Sequence, residues 1–156
     1  MKPVGLARRD FLLTAATLPA LLRPAQAAEL PLAHNLKDEL ASALEKRQPL
    51  VVMVSVAGCP FCKVARNNYL APLHEQEGLP VAQVDMGSRD RLQDFRGNTI
   101  THGELARLWK IRIAPTVLFF GRGGVEVAER LVGGYIPDFY GAYLDQRLEQ
   151  ARASLR

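Results

Sequence analysis

Residues 50–56, LVVMVSV, are apolar or small at both parities, as expected of a central β-strand covered on both faces. The flanking segments switch to helical spacing. Asn35 offers an N-cap, with Asp38 at the capping-box position, for an amphipathic helix over 36–47 that lines up Leu36, Leu40, Ala43 and Leu44 and stops at Gln48-Pro49. Residues 63–70 predict a further helix with Val64 and Ala65 inward, which Pro72 kinks or restarts. A second strand is expected over 81–86, parallel to the first because a helix joins them. The polar run 87–99, with Leu92 and Phe95 as its large apolar anchors, reads as a surface loop or insertion. Thr101 and Glu104 form a capping box for a helix through Leu105, Leu108 and Trp109. Strands over 116–120 and 125–131 flank the turn Gly121-Arg122-Gly123-Gly124, predicting a hairpin. After Gly133-Gly134, Pro137 suits a first helical turn, and 139–154 stacks Tyr140, Leu144 and Leu148 at i, i+4.

The element order is α, β, α, β, α, β, β, α, an α/β chain with an early parallel pair and a late hairpin. At 156 residues it predicts one domain, able to bury roughly two thirds of its unfolded surface without covalent staples. Residues 1–27 read as an export signal: Lys2, Arg8 and Arg9 precede an apolar run from Phe11 to Leu22, and Ala25-Gln26-Ala27 supplies a small-x-small cleavage site. Arg8-Arg9-Asp10-Phe11-Leu12 looks like a twin-arginine motif; the alternative is an ordinary basic leader of the general secretory route. The run is too short, with Pro19 inside it, for a retained span of about 20 residues. These readings predict a periplasmic product spanning 28–156 with no membrane anchor after processing. Four of the 20 Lys/Arg and one of the 16 Asp/Glu fall in residues 1–27, which leaves a net charge of +1 beyond them. Nucleic-acid binding gains no support from that balance.

The two cysteines of the chain, Cys59 and Cys62, bracket Pro60-Phe61 where the first core strand gives way to helix. A disulfide exchanger needs one thiolate exposed enough to attack and a second thiol close enough to resolve the mixed disulfide, and C-x-x-C supplies both within a helical turn. Cys59, at the helix start, faces unpaired N–H groups and the positive end of the helix dipole, which favour a thiolate. It is therefore the expected nucleophile and Cys62 the resolving thiol. No acid falls between Glu45 and Glu75, whereas Lys63 and Arg66 follow the motif, either tuning it or serving as solvated helix cations. Zinc would need two further ligands, and His34, His74 and His102 stand at no finger-like spacing, so no metal is expected. A passive disulfide on an adaptor or chaperone domain is the non-catalytic alternative.

The element order, the C-x-x-C after the first core strand and Ala114-Pro115-Thr116 opening the third together resemble the thioredoxin fold, over about 36–150. The resemblance implies a central mixed sheet of about four strands with helices on both faces, and thiol-disulfide oxidoreductase activity without a cofactor. It also implies that Pro115 is cis beside the two sulfurs, leaving the Ala114 backbone to pair with an extended substrate peptide; the alternative is a trans proline opening an edge strand. Phe61, Ala114 and Pro115 are thus the expected substrate-binding residues, with Gly133 and the 87–99 segment as further surfaces near the thiols.

Two positions depart from thioredoxin: Met53 stands where thioredoxins bury an acid, and Gly58 where they carry a tryptophan. Cys59-Pro60-Phe61-Cys62 is closer to the CPYC and CPHC motifs of glutaredoxins and periplasmic Dsb proteins, although no glutathione-binding set is recognisable. The stretches 101–120 and 132–148 look most like exported thioredoxin-like proteins that accompany sulfur-oxidation or cytochrome-maturation systems. Such scaffolds span reduction potentials from roughly −270 to roughly −120 mV. The lack of a large helical insertion between the cysteines and Pro115 favours a reductase of substrate protein disulfides over an oxidase or isomerase. A reductase implies a membrane electron donor of the DsbD or CcdA kind, and an oxidase a DsbB-like acceptor.

Overall fold

Residues 29–134 and 137–156 are described by the structure, a computed structural model; the expected export signal lies outside them. Strand β1 (Leu50–Ser55) is buried at all six positions and sits between two cores. Val51 and Met53 point into one core, Leu50, Val52 and Val54 into the other. On one side β1 pairs in parallel with β2 (Val81–Asp85), on the other antiparallel with β5 (Thr116–Gly121), which pairs with β6 (Val125–Val132). The order β2-β1-β5-β6 is the mixed four-stranded sheet expected of a thioredoxin fold. Beyond β2, the backbone at Pro31 and Ala33 adds two hydrogen bonds to Gln83, of 2.7 and 2.9 Å, extending the sheet by an isolated bridge.

Helix α1 (Leu36–Glu45) packs Leu36, Leu40 and Ala43 on the second core and ends two residues before the expected limit. Asn35 caps it by accepting from the Asp38 N–H. The carboxylate that reaches back to the Asn35 N–H belongs to Glu39, not Asp38. On the opposite face lies α2 (Pro60–Ala65), followed by a π-helical turn, Arg66–Leu70, and α3 (Ala71–Glu77). The extra residue of the π turn sets the buried Ala65 and Leu70 at an i, i+5 spacing. Val64 is 38% exposed, contrary to the inward position expected, because Cys62 and Ala65 already occupy the inner side of this short helix.

Within the segment expected as a loop over 87–99, and just beyond it, two three-residue strands pair as a small antiparallel hairpin, β3 (Arg91–Gln93) and β4 (Thr99–Thr101). Leu92 is buried, and Phe95 packs against Phe120 and Trp109 with ring centroids 4.6 and 6.2 Å away. Helix α4 (His102–Leu108) starts with the full Thr101/Glu104 capping box. His102 is buried, and Leu108 is 68% exposed. Helix α5 (Pro137–Ala153) returns to the first core through Tyr140, Leu144 and Leu148.

Candidate active site: the Cys59–Cys62 pair

The chain leaves β1 through a turn in which Gly58 has φ +76°, a left-handed conformation that glycine adopts without steric cost. This turn delivers Cys59 to the N-cap of α2, where its Sγ accepts the Cys62 N–H at 3.1 Å. Pro60 follows at the first helical position, where its missing N–H costs nothing. Cys59 and Cys62 form a disulfide, with their Cα atoms 5.2 Å apart. The two sulfurs are not equivalent. Cys59 is half-buried, whereas Cys62 is 1% exposed and packs into the core with Met53, Ala65 and Val117.

The Ala114–Pro115 bond, at the start of β5, is cis, and the Ala114 carbonyl oxygen lies 3.8 Å from Cys59 Sγ. The Pro115 carbonyl accepts the Gly133 N–H at 2.7 Å, and Thr116 Oγ1 donates to the Ile113 carbonyl at 2.7 Å, so the segment is tied on both sides. Phe61 is 52% exposed on the rim. Gly134 fits between Phe61 and Pro115: a Cβ there would come within 3.3 Å of Phe61 Cβ and 3.4 Å of Pro115 Cγ. Phe61, Ala114 and Pro115 therefore gather around Cys59 and its rim. The hairpin at 91–101 instead packs on the core of the opposite face.

Behind the disulfide is a small polar cavity of about 170 Å³, whose lining includes Ser55, Cys59, Cys62, Lys63, Arg66, Gln83 and Asp85. Strand register explains it. Met53 pairs with Gln83 and Ser55 with Asp85, so the thiol-side face of β1 and β2 turns from apolar to polar toward the strand ends. Arg66 Nε donates to Gln83 Oε1 at 2.8 Å, and Asp85 Oδ1 accepts the Gly87 N–H at 2.8 Å. Lys63 and Arg66 thus do reach the thiols' surroundings, whereas nothing in the sequence pattern alone places Gln83, Asp85 and Gly134 at the site. A partial signal for the first two was present: on the parity of Val81, β2 changes from valine to glutamine to aspartate. Among the described residues, no group of three or more His, Cys, Asp or Glu could hold a metal ion, and no helix is long and apolar enough to cross a membrane.

The chain is similar in fold to the oxidised mitochondrial thioredoxin 3 of Saccharomyces cerevisiae, at 14% identity and a TM-score of 0.53, over 79% of this chain and 96% of that one. Oxidised thioredoxin O2 of Arabidopsis thaliana matches at 16% identity and a TM-score of 0.52, over 79% and 97%. The reduced periplasmic thioredoxin SoxS of Paracoccus pantotrophus matches at 24% identity and a TM-score of 0.44, over 67% and 99%. At 14% and 16% identity, the first two speak to the fold alone. No curated protein matches the chain. The family model of the thioredoxin-like domain matches residues 36–149, which takes in β1, both cysteines, Pro115 and most of α5: the chain belongs to the thioredoxin-like domain family.

Proposed function

We propose that this thiol-disulfide oxidoreductase is an exported reductase of protein disulfides, in which Cys59 attacks and Cys62 resolves. The asymmetry of the two sulfurs carries the assignment. Cys59 Sγ receives a backbone N–H at the helix start and is partly open to solvent, so its thiolate is both stabilised and reachable. Cys62 is enclosed and meets only a sulfur already bound to Cys59. An extended substrate peptide would lie against Ala114 and Pro115, with Phe61 at its side. Periplasmic location is supported by the leader-like residues 1–27. A soluble reductant there needs recharging by a membrane donor of the DsbD or CcdA kind.

Cys59→Ser and Cys62→Ser variants assayed on an insulin-type substrate test the roles. Cys59→Ser should lose at least about a thousandfold in exchange, and Cys62→Ser should accumulate a mixed disulfide on Cys59. Retained activity in Cys59→Ser would sink the assignment. Equilibration against a glutathione buffer tests the direction: a potential near roughly −270 mV supports a reductase, and one near roughly −120 mV an oxidase.

A further inference from the structure

The cavity behind the disulfide bears on how the enclosed thiol loses its proton. Reduced Cys62 would be a buried thiol, and burial in apolar surroundings disfavours a thiolate. It shares its apolar cluster with Met53, Ala65 and Val117, which accept no proton. Cys62 is also among the residues that line the 170 Å³ cavity, where Lys63 and Arg66 are cations, Ser55 and Gln83 are neutral, and Asp85 is the carboxylate. At roughly 30 Å³ per molecule the cavity has room for several waters, with polar partners around it. The Gly87 N–H holds Asp85 Oδ1 at 2.8 Å and so fixes the carboxylate at the cavity wall. His102, on the far side of β2, touches the Asp85 backbone: its Nδ1 accepts the Asp85 N–H at 3.3 Å, with Asp90 also charged nearby.

We infer that Asp85 accepts, through water in this cavity, the proton that Cys62 gives up when it resolves the mixed disulfide. This rests on the thiol roles proposed above. The Cys59 thiolate attacks a substrate disulfide R–S–S–R′, forming Cys59–S–S–R and expelling R′–S⁻. The Cys62 S–H then passes its proton by way of water to the Asp85 carboxylate, and its sulfur attacks that of Cys59. The Cys59–Cys62 disulfide closes and R–S⁻ leaves, taking the proton back from Asp85 through the same water. Two electrons pass from the dithiol to the substrate disulfide. Lys63 and Arg66 stabilise the anionic species on either side of the transfer.

Asp85→Asn is the test, since its amide oxygen can still accept the Gly87 N–H. The reduced protein is mixed with excess dithiobis(nitrobenzoate), where a first release of coloured thiolate reports attack by Cys59 and a second reports resolution by Cys62. In Asp85→Asn the second phase should slow by at least about tenfold at pH 7, the low side of what a positioned general base supplies, and become steeper with pH than in the wild type. The first phase should stay within about threefold, which also shows that the site remains folded. A second phase with wild-type rate and pH dependence would overturn the role of Asp85. The thiol roles would fail separately, if Cys59→Ser gave a fast first release or Cys62→Ser formed no stable adduct on Cys59.

Discussion

Phe119 and Phe120 are neighbours in β5, both almost fully buried, yet they belong to different cores. Phe119 shares its cluster with Cys62, Met53 and Tyr140. Phe120 meets Phe95 and Trp109 and packs with α1, α4 and the hairpin. The first face carries the thiols, the cis proline, the π turn and a polar cavity at its upper edge. The second is closed by two helices and an aromatic cluster, and its helix starts are fully capped at Asn35 and Thr101. One sheet thus divides the labour: the second face holds the strands in register, so that the first can keep a buried sulfur beside polar groups.

Truncating each phenylalanine separates these roles. Phe119→Ala and Phe120→Ala should each cost about 3–5 kcal/mol, the usual range for emptying a buried aromatic site. Urea denaturation reads this loss. The faces should differ in chemistry: alkylation of Cys59 in the folded, reduced protein should change in Phe119→Ala, whose cavity opens in the cluster that holds Cys62, and stay at the wild-type rate in Phe120→Ala. Equal effects on alkylation would mean that the sheet does not insulate the two cores.

A smaller effect, dependent on pH, belongs to the second face. His102 is 3% exposed, and burial holds its pKa below the ordinary 6.5, although the Asp90 and Asp85 charges pull the other way. The folded state therefore resists a proton that the unfolded chain accepts. Stability from this group is complete above about pH 6.5 and is lost as pH falls from there through the lower folded value. Denaturation midpoints between pH 7.5 and 5 should fall less steeply in His102→Gln than in the wild type. An identical slope in the two proteins would remove His102 from the account.

Features fixed by local chemistry were the legible ones: the two-parity strand at 50–55, the capping residues Asn35 and Thr101, the C-x-x-C at a helix start and the proline opening β5. The hairpin at 91–101 escaped because its strands are three residues each, too short for an alternation to register, and its anchor Phe95 is placed by contacts with Trp109 and Phe120 far along the chain. Asp85 and Gln83 escaped for a different reason. A polar residue near the end of a strand reads as solvated until register sets it beside Ser55 and Met53, and only then does it face the thiols. Gly134 could be read as a breaker but not as the residue that lets Phe61 and Pro115 approach each other.

The smallest change is on the thiol face, where Tyr140 is packed against Tyr69 with ring centroids 5.0 Å apart. Its hydroxyl is buried with no hydrogen-bond partner among the described residues. Burial, and then the charge of Tyr69, push its pKa up to about 12. A buried hydroxyl without a partner contributes desolvation cost and little else, so Tyr140→Phe should keep the ring packing and leave stability at pH 7 unchanged or raised by up to about 1 kcal/mol. The variant's advantage widens in alkali. The unfolded chain ionises this phenol near pH 10 while the folded protein holds it neutral, so the wild type loses stability between pH 10 and about 12 by a route closed to the phenylalanine variant. Urea midpoints at pH 7 and 10.5 measure both halves. A Tyr140→Phe protein that is clearly less stable at pH 7 would show that the hydroxyl has a partner, and would make this edge of the thiol face a polar network like the one around Asp85.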